Sequence, residues 1–350
     1  MALTRRVVSI VFTTFFSLPL MAQNDDGLGF VPFGDARLRY EDTRNIPVEI
    51  ERVRAYVHLG ALYLGVDGWE FGAAVALNAG SDEARDNRRN KDNERSDRIS
   101  LNQLYARWQS ERLSLQFGKA PLPFALTPLI WDADLRPIGL SISGDALNDE
   151  GTGFAYGAGY FAPDFIFDNE KPRLAAVQAG WHWQQGQPIS ASALLSYLRF
   201  SELDGLAGNG IARTNRRLRA NFLSDYELLD LQLIGRMTVA DKPLTVVLNG
   251  VDNRASDTLN KAGRASIAWG NMREGGVELG LAYHRNARDS ILSIAAEDDW
   301  WFQSFSHGTM PWVGYGFNQN IWARVAAFDE RRDGLTRSSK RLLFDLSTQW

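Results

Sequence analysis

The chain contains no cysteine, which excludes a disulfide framework, thiolate zinc sites and cysteine nucleophiles together. It has no surplus of basic charge either. Lys and Arg number 38 against 42 Asp and Glu, a balance that argues against nucleic acid as a partner. Histidine is scarce, with His58, His182, His284 and His307 the only imidazoles. No His-Glu-x-x-His pair, Gly-x-Ser-x-Gly elbow or acidic calcium loop occurs, so metalloprotease, serine-hydrolase and EF-hand chemistry lack their usual carriers. Neither catalytic residues nor a metal site nor a cofactor is expected. Long hydrophobic runs are missing too. Beyond residue 22 no stretch of 18 apolar residues passes without a charge, which excludes a transmembrane helix.

What is present is aromatic and apolar. Of 350 residues, 45% are hydrophobic and 11% aromatic, too much for a chain that stays disordered. The first 22 residues stand apart. Arg5 and Arg6 precede an apolar stretch from Val7 to Leu20, and Ala22 supplies a small residue before Gln23. This is the pattern of a secretory signal peptide over 1–22, and its apolar part is shorter than the roughly 20 residues of a membrane anchor. Removing it takes two Arg and no acid, leaving a mature chain of 36 basic and 42 acidic residues. N-terminal sequencing of membrane-fraction protein should begin at Gln23, give or take a few residues; recovery of Met1 would contradict the cleavage.

From residue 23 onward the dominant pattern is alternation. Val53, Ala55, Val57, Leu59, Ala61 and Tyr63 interleave with Arg54, Tyr56, His58 and Gly60, the period of a strand with two different faces. Sixteen such segments can be laid out, from 33–42 through 138–145 to 341–350. Short turns, such as 65–68, 240–243 and 318–320, alternate with longer, more charged loops. A secreted sandwich has no reason to alternate its connections; an all-β, 16-stranded antiparallel transmembrane barrel over 23–350 does, with short turns on one side of the membrane and extended loops on the other. Trp108, Trp183, Trp269 and Trp350 fall at or beside the ends of even-numbered strands, joined by Tyr63, as an interfacial girdle requires.

Two segments carry a family resemblance. Ala36-Arg37-Leu38-Arg39-Tyr40-Glu41 and, above all, Leu129-Ile130-Trp131-Asp132-Ala133-Asp134-Leu135-Arg136-Pro137-Ile138-Gly139 resemble the bacterial putative porins of the outer membrane, with a weaker likeness over Leu292 to Trp300. The resemblance implies passive diffusion of small hydrophilic solutes or ions through a water-filled pore. It also implies a homotrimer, contact with outer-membrane lipid and lipopolysaccharide, and insertion of the terminal aromatic strand by the barrel assembly machinery. By the same resemblance the third long loop, 120–137, is the candidate constriction. Pro121, Pro123, Pro128 and Pro137 stiffen it, Leu126, Leu129, Ile130 and Trp131 suit packing on the inner wall, and Asp132, Asp134 and Arg136 would face the pore.

Taking the apolar face of each strand as outward, the pore-lining positions include Arg37, Arg39, Arg52, Arg54, Arg107, Arg236, Arg264, Arg324 and Arg341. Asp35, Glu41, Asp230, Glu278 and Asp345 oppose them. Nine bases against five acids predict a weak preference for anions. His58 and His284 read as lumen-lining. The charged run 81–95 reads as a solvated outer loop able to meet lipopolysaccharide phosphates, and 290–296 as a short helix within a longer loop. The competing reading is an outer-membrane enzyme or adhesin on the same barrel, and its sign would be a His-Ser or His-Asn-Ser cluster outside the lumen.

Overall fold

The computed structural model describes residues 29–47, 49–81, 98–163, 171–209 and 212–350. The segment 1–22, read as a signal peptide from the sequence, and nearly all of the charged run 81–95 lie outside the described residues. Strands β1 (Gly29–Arg44), β2 (Ile50–Leu64), β3 (Trp69–Gly80), β4 (Arg98–Gln109), β5 (Leu113–Lys119) and β6 (Ile138–Leu147) come first. They are followed by β7 (Gly153–Ala162), β8 (Arg173–Trp183) and β9 (Ser190–Ser201), then a two-residue hairpin, β10 (Arg217–Leu218) with β11 (Asn221–Phe222). The last seven are β12 (Tyr226–Val239), β13 (Lys242–Asn253), β14 (Lys261–Gly270), β15 (Gly276–Asn286), β16 (Ser306–Gly316), β17 (Ile321–Arg332) and β18 (Ser339–Gln349).

All but the small hairpin join one closed barrel in which sequence neighbours pair antiparallel and β1 meets β18. Each of the sixteen expected segments coincides with one barrel strand, with bounds that differ by at most four residues at either end. The expected helix at 290–296 is a single 3-10 turn, Ser293–Ala295.

Alternation has the consequence the period demands. Outward positions such as Leu38, Val53, Phe117, Leu140, Leu231 and Leu281 are exposed, while Arg39, Arg52, His58 and Asp230, on the opposite face, are buried. Trp108 donates its indole N–H to the carbonyl of Asp67 (3.1 Å) and Trp269 to that of Val239 (2.9 Å). Both bonds reach backbone at the short-turn end, where an indole keeps its ring in hydrocarbon and its polar edge in water.

The seam between β1 and β18 leaves no free edge, as hydrocarbon requires. Gly34 and Trp350 exchange backbone hydrogen bonds of 3.2 and 3.0 Å. Gly34 is required there, because a Cβ would lie 2.6 Å from both the Trp350 ring and the carbonyl oxygen of His58. Gly34→Leu is therefore expected to displace Trp350 and weaken the seam, at a cost of about 1–3 kcal/mol typical of overpacking. The readout is the temperature at which the compact, fast-migrating barrel band is lost on a gel; an unshifted temperature would contradict the role of the seam.

Strict alternation fails on one side of the inner wall. Phe161, Leu174, Leu198, Phe200, Tyr226, Leu228 and Val251 point inward from β7, β8, β9, β12 and β13, yet are apolar and buried. They form one cluster with Leu122, Phe124, Leu129, Ile130, Trp131 and Leu135 of the third loop and Ile291, Leu292 and Ile294 of the seventh. A hydrophobic core thus sits inside the barrel. Each fully buried Leu or Ile in it contributes about 1.5–3 kcal/mol relative to exposure, which is why these loops fold inward instead of standing in solvent.

Candidate pore and its constriction

The segment 120–137 lies along the inner wall. Its base is closed by the Ala120 N–H on the Pro137 carbonyl (3.2 Å). Gln178 on β8 holds Ala125 in both directions, accepting its N–H at 3.0 Å and donating to its carbonyl at 2.9 Å, and Gln232 on β12 donates to the same carbonyl at 2.8 Å. Thr127 donates to Asn249 on β13. Side-chain amides on inward strand positions therefore satisfy backbone groups that would otherwise be buried without partners.

The loop 287–305 is tied to it. The Asp132 N–H donates to the Ala295 carbonyl at 2.7 Å and the Glu297 N–H to that of Pro128 at 3.0 Å. Beyond that junction the loop crosses to the arginines on β1, β17 and β18. Arg39 bridges Asp299 (2.5 Å) and Asp345 (2.6 Å). Arg341 donates to the carbonyls of Asp298 and Asp299 (2.8 Å each) and reaches Glu41 (2.6 Å), which also holds Arg52 at 2.7 Å. Trp300 lies over His284 with ring centroids 3.7 Å apart, and the Phe302 N–H donates to Glu330. The acids 297–299 are the site residues that sequence reasoning passed over. Their signals were the weak family likeness over Leu292 to Trp300 and the adjacency of Asp298 and Asp299, and nothing local shows that this loop enters the barrel.

The nine arginines named as pore-lining all occupy inward register positions, but their surroundings differ. Arg39, Arg52 and Arg54 are buried. Arg37 lies 3.8 Å from Asp134, Arg107 pairs with Glu70 and Gln116, and Arg324 stands 3.9 Å from Asp299. Arg236 and Arg264 have no carboxylate within 4.0 Å among the described residues. Of the three loop residues, only Asp134 presents an open side chain. Asp132 is buried and accepts the Asp134 N–H at 2.8 Å, capping its own turn. Arg136 is buried and donates to the carbonyls of Ala133 and Leu135, so it stitches the loop and does not present its guanidinium to the pore as its composition suggested. The wall count also changes. Glu70, Asp145 and Glu330 share the inward face, and so does Arg332, giving eight acids against ten bases among the described side chains.

Asp132, Glu297 and Asp298 bring carboxylate oxygens within 4.8 Å of one another. They are the one such group among the described residues, close enough to share a proton or a cation. Burial, and then the charges of Asp132, Asp299, Asp298 and Asp134, push the Glu297 carboxyl well above its ordinary range. Asp299 goes the other way. Burial works to raise it, but Arg39, Arg324 and Arg341 outweigh burial and hold it far below the ordinary range. A raised carboxyl stabilises the junction while protonated, and that stabilisation is lost as pH rises from the ordinary Glu value toward the raised one. The junction of the two loops is therefore expected to loosen as pH rises through that window, and Glu297→Gln to remove the dependence. Conductance recorded against pH for both proteins checks it; identical profiles would refute it.

The histidines bear on the enzyme reading. His182 meets Ser192 at 2.8 Å, but both face inward and no carboxylate lies within 4.0 Å of His182 among the described residues. His58 pairs with Asp35 and His284 with Glu330 on the inner wall, while His307 sits on the outer face at the long-loop rim with Asp333 and Arg331.

No family model and no curated protein sequence matches this chain. Solved structures do. The high-pH structure of OprB from Pseudomonas putida aligns with a TM-score of 0.61 at 14% identity, covering 92% of this chain and 94% of that one. OmpT of Vibrio cholerae with its loop L8 deleted, an outer membrane protein, gives 0.55 at 14%, covering 92% and 99%. A substituted porin of Rhodopseudomonas blastica gives 0.54 at 12%, covering 92% and 100%. At these identities the likeness is one of architecture: this chain has the 16-stranded barrel fold of porins.

Proposed function

We propose that the protein is an outer-membrane porin that lets small hydrophilic solutes or ions diffuse through a water-filled pore. The observation that carries this is a closed 16-stranded barrel, apolar outside and charged inside, whose third and seventh loops fold into the lumen without spanning every wall position. Barrels of about sixteen strands are wide enough to keep an aqueous channel. In this reading the open passage runs between the acids Asp134, Glu297 and Asp298 on the loops and the cations Arg37, Arg264 and Arg324 on the wall. It sorts solutes by size and charge with no chemical turnover. The only His-Ser pair within bonding distance among the described residues faces the lumen and lacks an orienting carboxylate, so no observation favours the enzyme alternative. Assembly as a homotrimer, contact with lipopolysaccharide and insertion by the barrel assembly machinery belong to the proposal on the family resemblance.

The test is single-channel recording of purified protein in a planar bilayer. Discrete, long-lived conductance steps are expected, and a silent bilayer with correctly folded barrel would overturn the channel reading.

A further inference from the structure

We propose that the lipid-facing wall over β12 to β15 binds one anionic lipid of the outer leaflet. Its phosphate rests on Lys261 and Arg285, and an acyl chain lies in a groove descending past Gly263, Gly250 and Gly235. The proposal rests on the membrane placement given above.

The groove exists because three outward positions carry no side chain. Gly250 on β13 pairs directly with Gly263 on β14, so two gaps merge, and Gly235 on β12 opens a third lower down. The backbone does not demand glycine at any of them, since none has a positive φ. A Cβ at Gly235 or Gly250 would meet nothing within 4 Å, and at Gly263 only the Asn249 carbonyl oxygen at 3.6 Å. Contrast Gly280, where a Cβ would collide with Trp312 at 2.0 Å. At Gly280 glycine makes room for a neighbour, whereas here it leaves open space. Two adjoining hollows of about 430 and 470 Å³ result, both bordered by Leu233 and Leu248, and the lower one ends at Trp181 and Trp183 on the short-turn side. On a surface that faces hydrocarbon, a flexible chain of methylenes fits such a trough.

Charge at the upper mouth selects the occupant. Arg285 pairs in register with Gly263 and is exposed at the long-loop end, and Lys261 lies two residues above Gly263 on the same outward face. Neither makes an ion pair among the described residues. The acid across from Lys261, Asp252, is already engaged by Arg254 and Asn260. On the neighbouring strands His307 and Arg331 continue the row from Arg285, with Asp333 taken by His307 and Asp329 by Lys340. Two cations without a carboxylate partner among the described residues, at headgroup height and directly above an apolar trough, match a phosphorylated lipid. A second copy of the chain fits less well. The outward acids on its opposite rim, Asp42, Glu49 and Glu51, are gathered around Arg44 and are not free to meet these cations.

The experiment uses full-length protein purified from outer membranes, stripped of lipid in detergent and titrated with lipid A, with dephosphorylated lipid A and with inorganic phosphate, bound lipid being read by native mass spectrometry. The variants are Lys261→Ser with Arg285→Ser, and Gly250→Leu with Gly263→Leu; open space at the glycines lets the second pair fold, which the fast-migrating gel band verifies. Wild type should hold lipid A about tenfold more tightly than the leucine pair does. The serine pair should lose the preference for the phosphorylated over the dephosphorylated lipid, and inorganic phosphate should not compete. Equal affinity in wild type and the leucine pair would overturn the proposal, as would displacement by inorganic phosphate. A leucine pair that changes the oligomer mass and leaves lipid binding untouched would hand the groove to a second copy. Conductance measured on the same samples keeps failure here distinct from failure of the channel reading, since neither pair touches the lumen.

Discussion

Arg39→Ser is expected to raise single-channel conductance and make the open level noisy. Arg39 is buried and bridges Asp299 on the seventh loop to Asp345 on β18. Removing one member of a buried charge network costs about 3–5 kcal/mol, because the remaining carboxylates are left without their counter-ion. The barrel has little freedom to relax, as β18 is hydrogen-bonded to β1 and β17 along its length. The loop has more. Asp299 relieves the imbalance by leaving the wall for water, which carries residues 297–300 out of the lumen and widens the passage. Asp299→Asn should do less, since the neutral amide still offers Arg39 an acceptor. Recordings of the two variants beside wild type decide it: a conductance unchanged in Arg39→Ser would mean that the loop does not limit the pore.

Wild-type protein is expected to be nearly non-selective in a KCl gradient, and paired substitutions to move it in opposite directions. Arginines on the strands suggested a positive wall, but eight inward acids now face ten bases among the described side chains, and most of the buried members cancel in pairs such as Arg52 with Glu41 and Arg39 with Asp345. What a passing ion meets is the accessible remainder: Asp134 and Asp298 on the loops against Arg37, Arg264 and Arg324 on the wall. At physiological ionic strength charges act over only about 8 Å, so these groups outweigh the net acidity of the distant outer loops. Asp134→Lys with Asp298→Lys should shift the reversal potential toward chloride, and Arg37→Ser with Arg264→Ser toward potassium. A strongly selective wild type, or two double variants shifting in the same direction, would show that other groups set the field.

Strand number, strand order and the outward face of every strand were legible from the amino-acid order, because a period of two is a local property and hydrocarbon rewards the same face in each strand. The inward arginines followed from the same register, as did the tryptophans at the short-turn ends. The inner core did not. Leu198, Leu228 and Val251 read as ordinary strand residues until loops from elsewhere cover them. The amides of Gln178, Gln232 and Asn249 find partners 53, 107 and 122 positions away, and Arg39 finds Asp299 across 260. Which inward charge is paired, and which of Asp132, Asp134 and Arg136 is open, depends on those distant contacts. Period and composition thus fixed the barrel, since each strand answers only to its neighbours and its solvent. The shape of the passage was decided by tertiary structure alone, because it is set by loops whose buried polar groups are satisfied only once the barrel has closed around them.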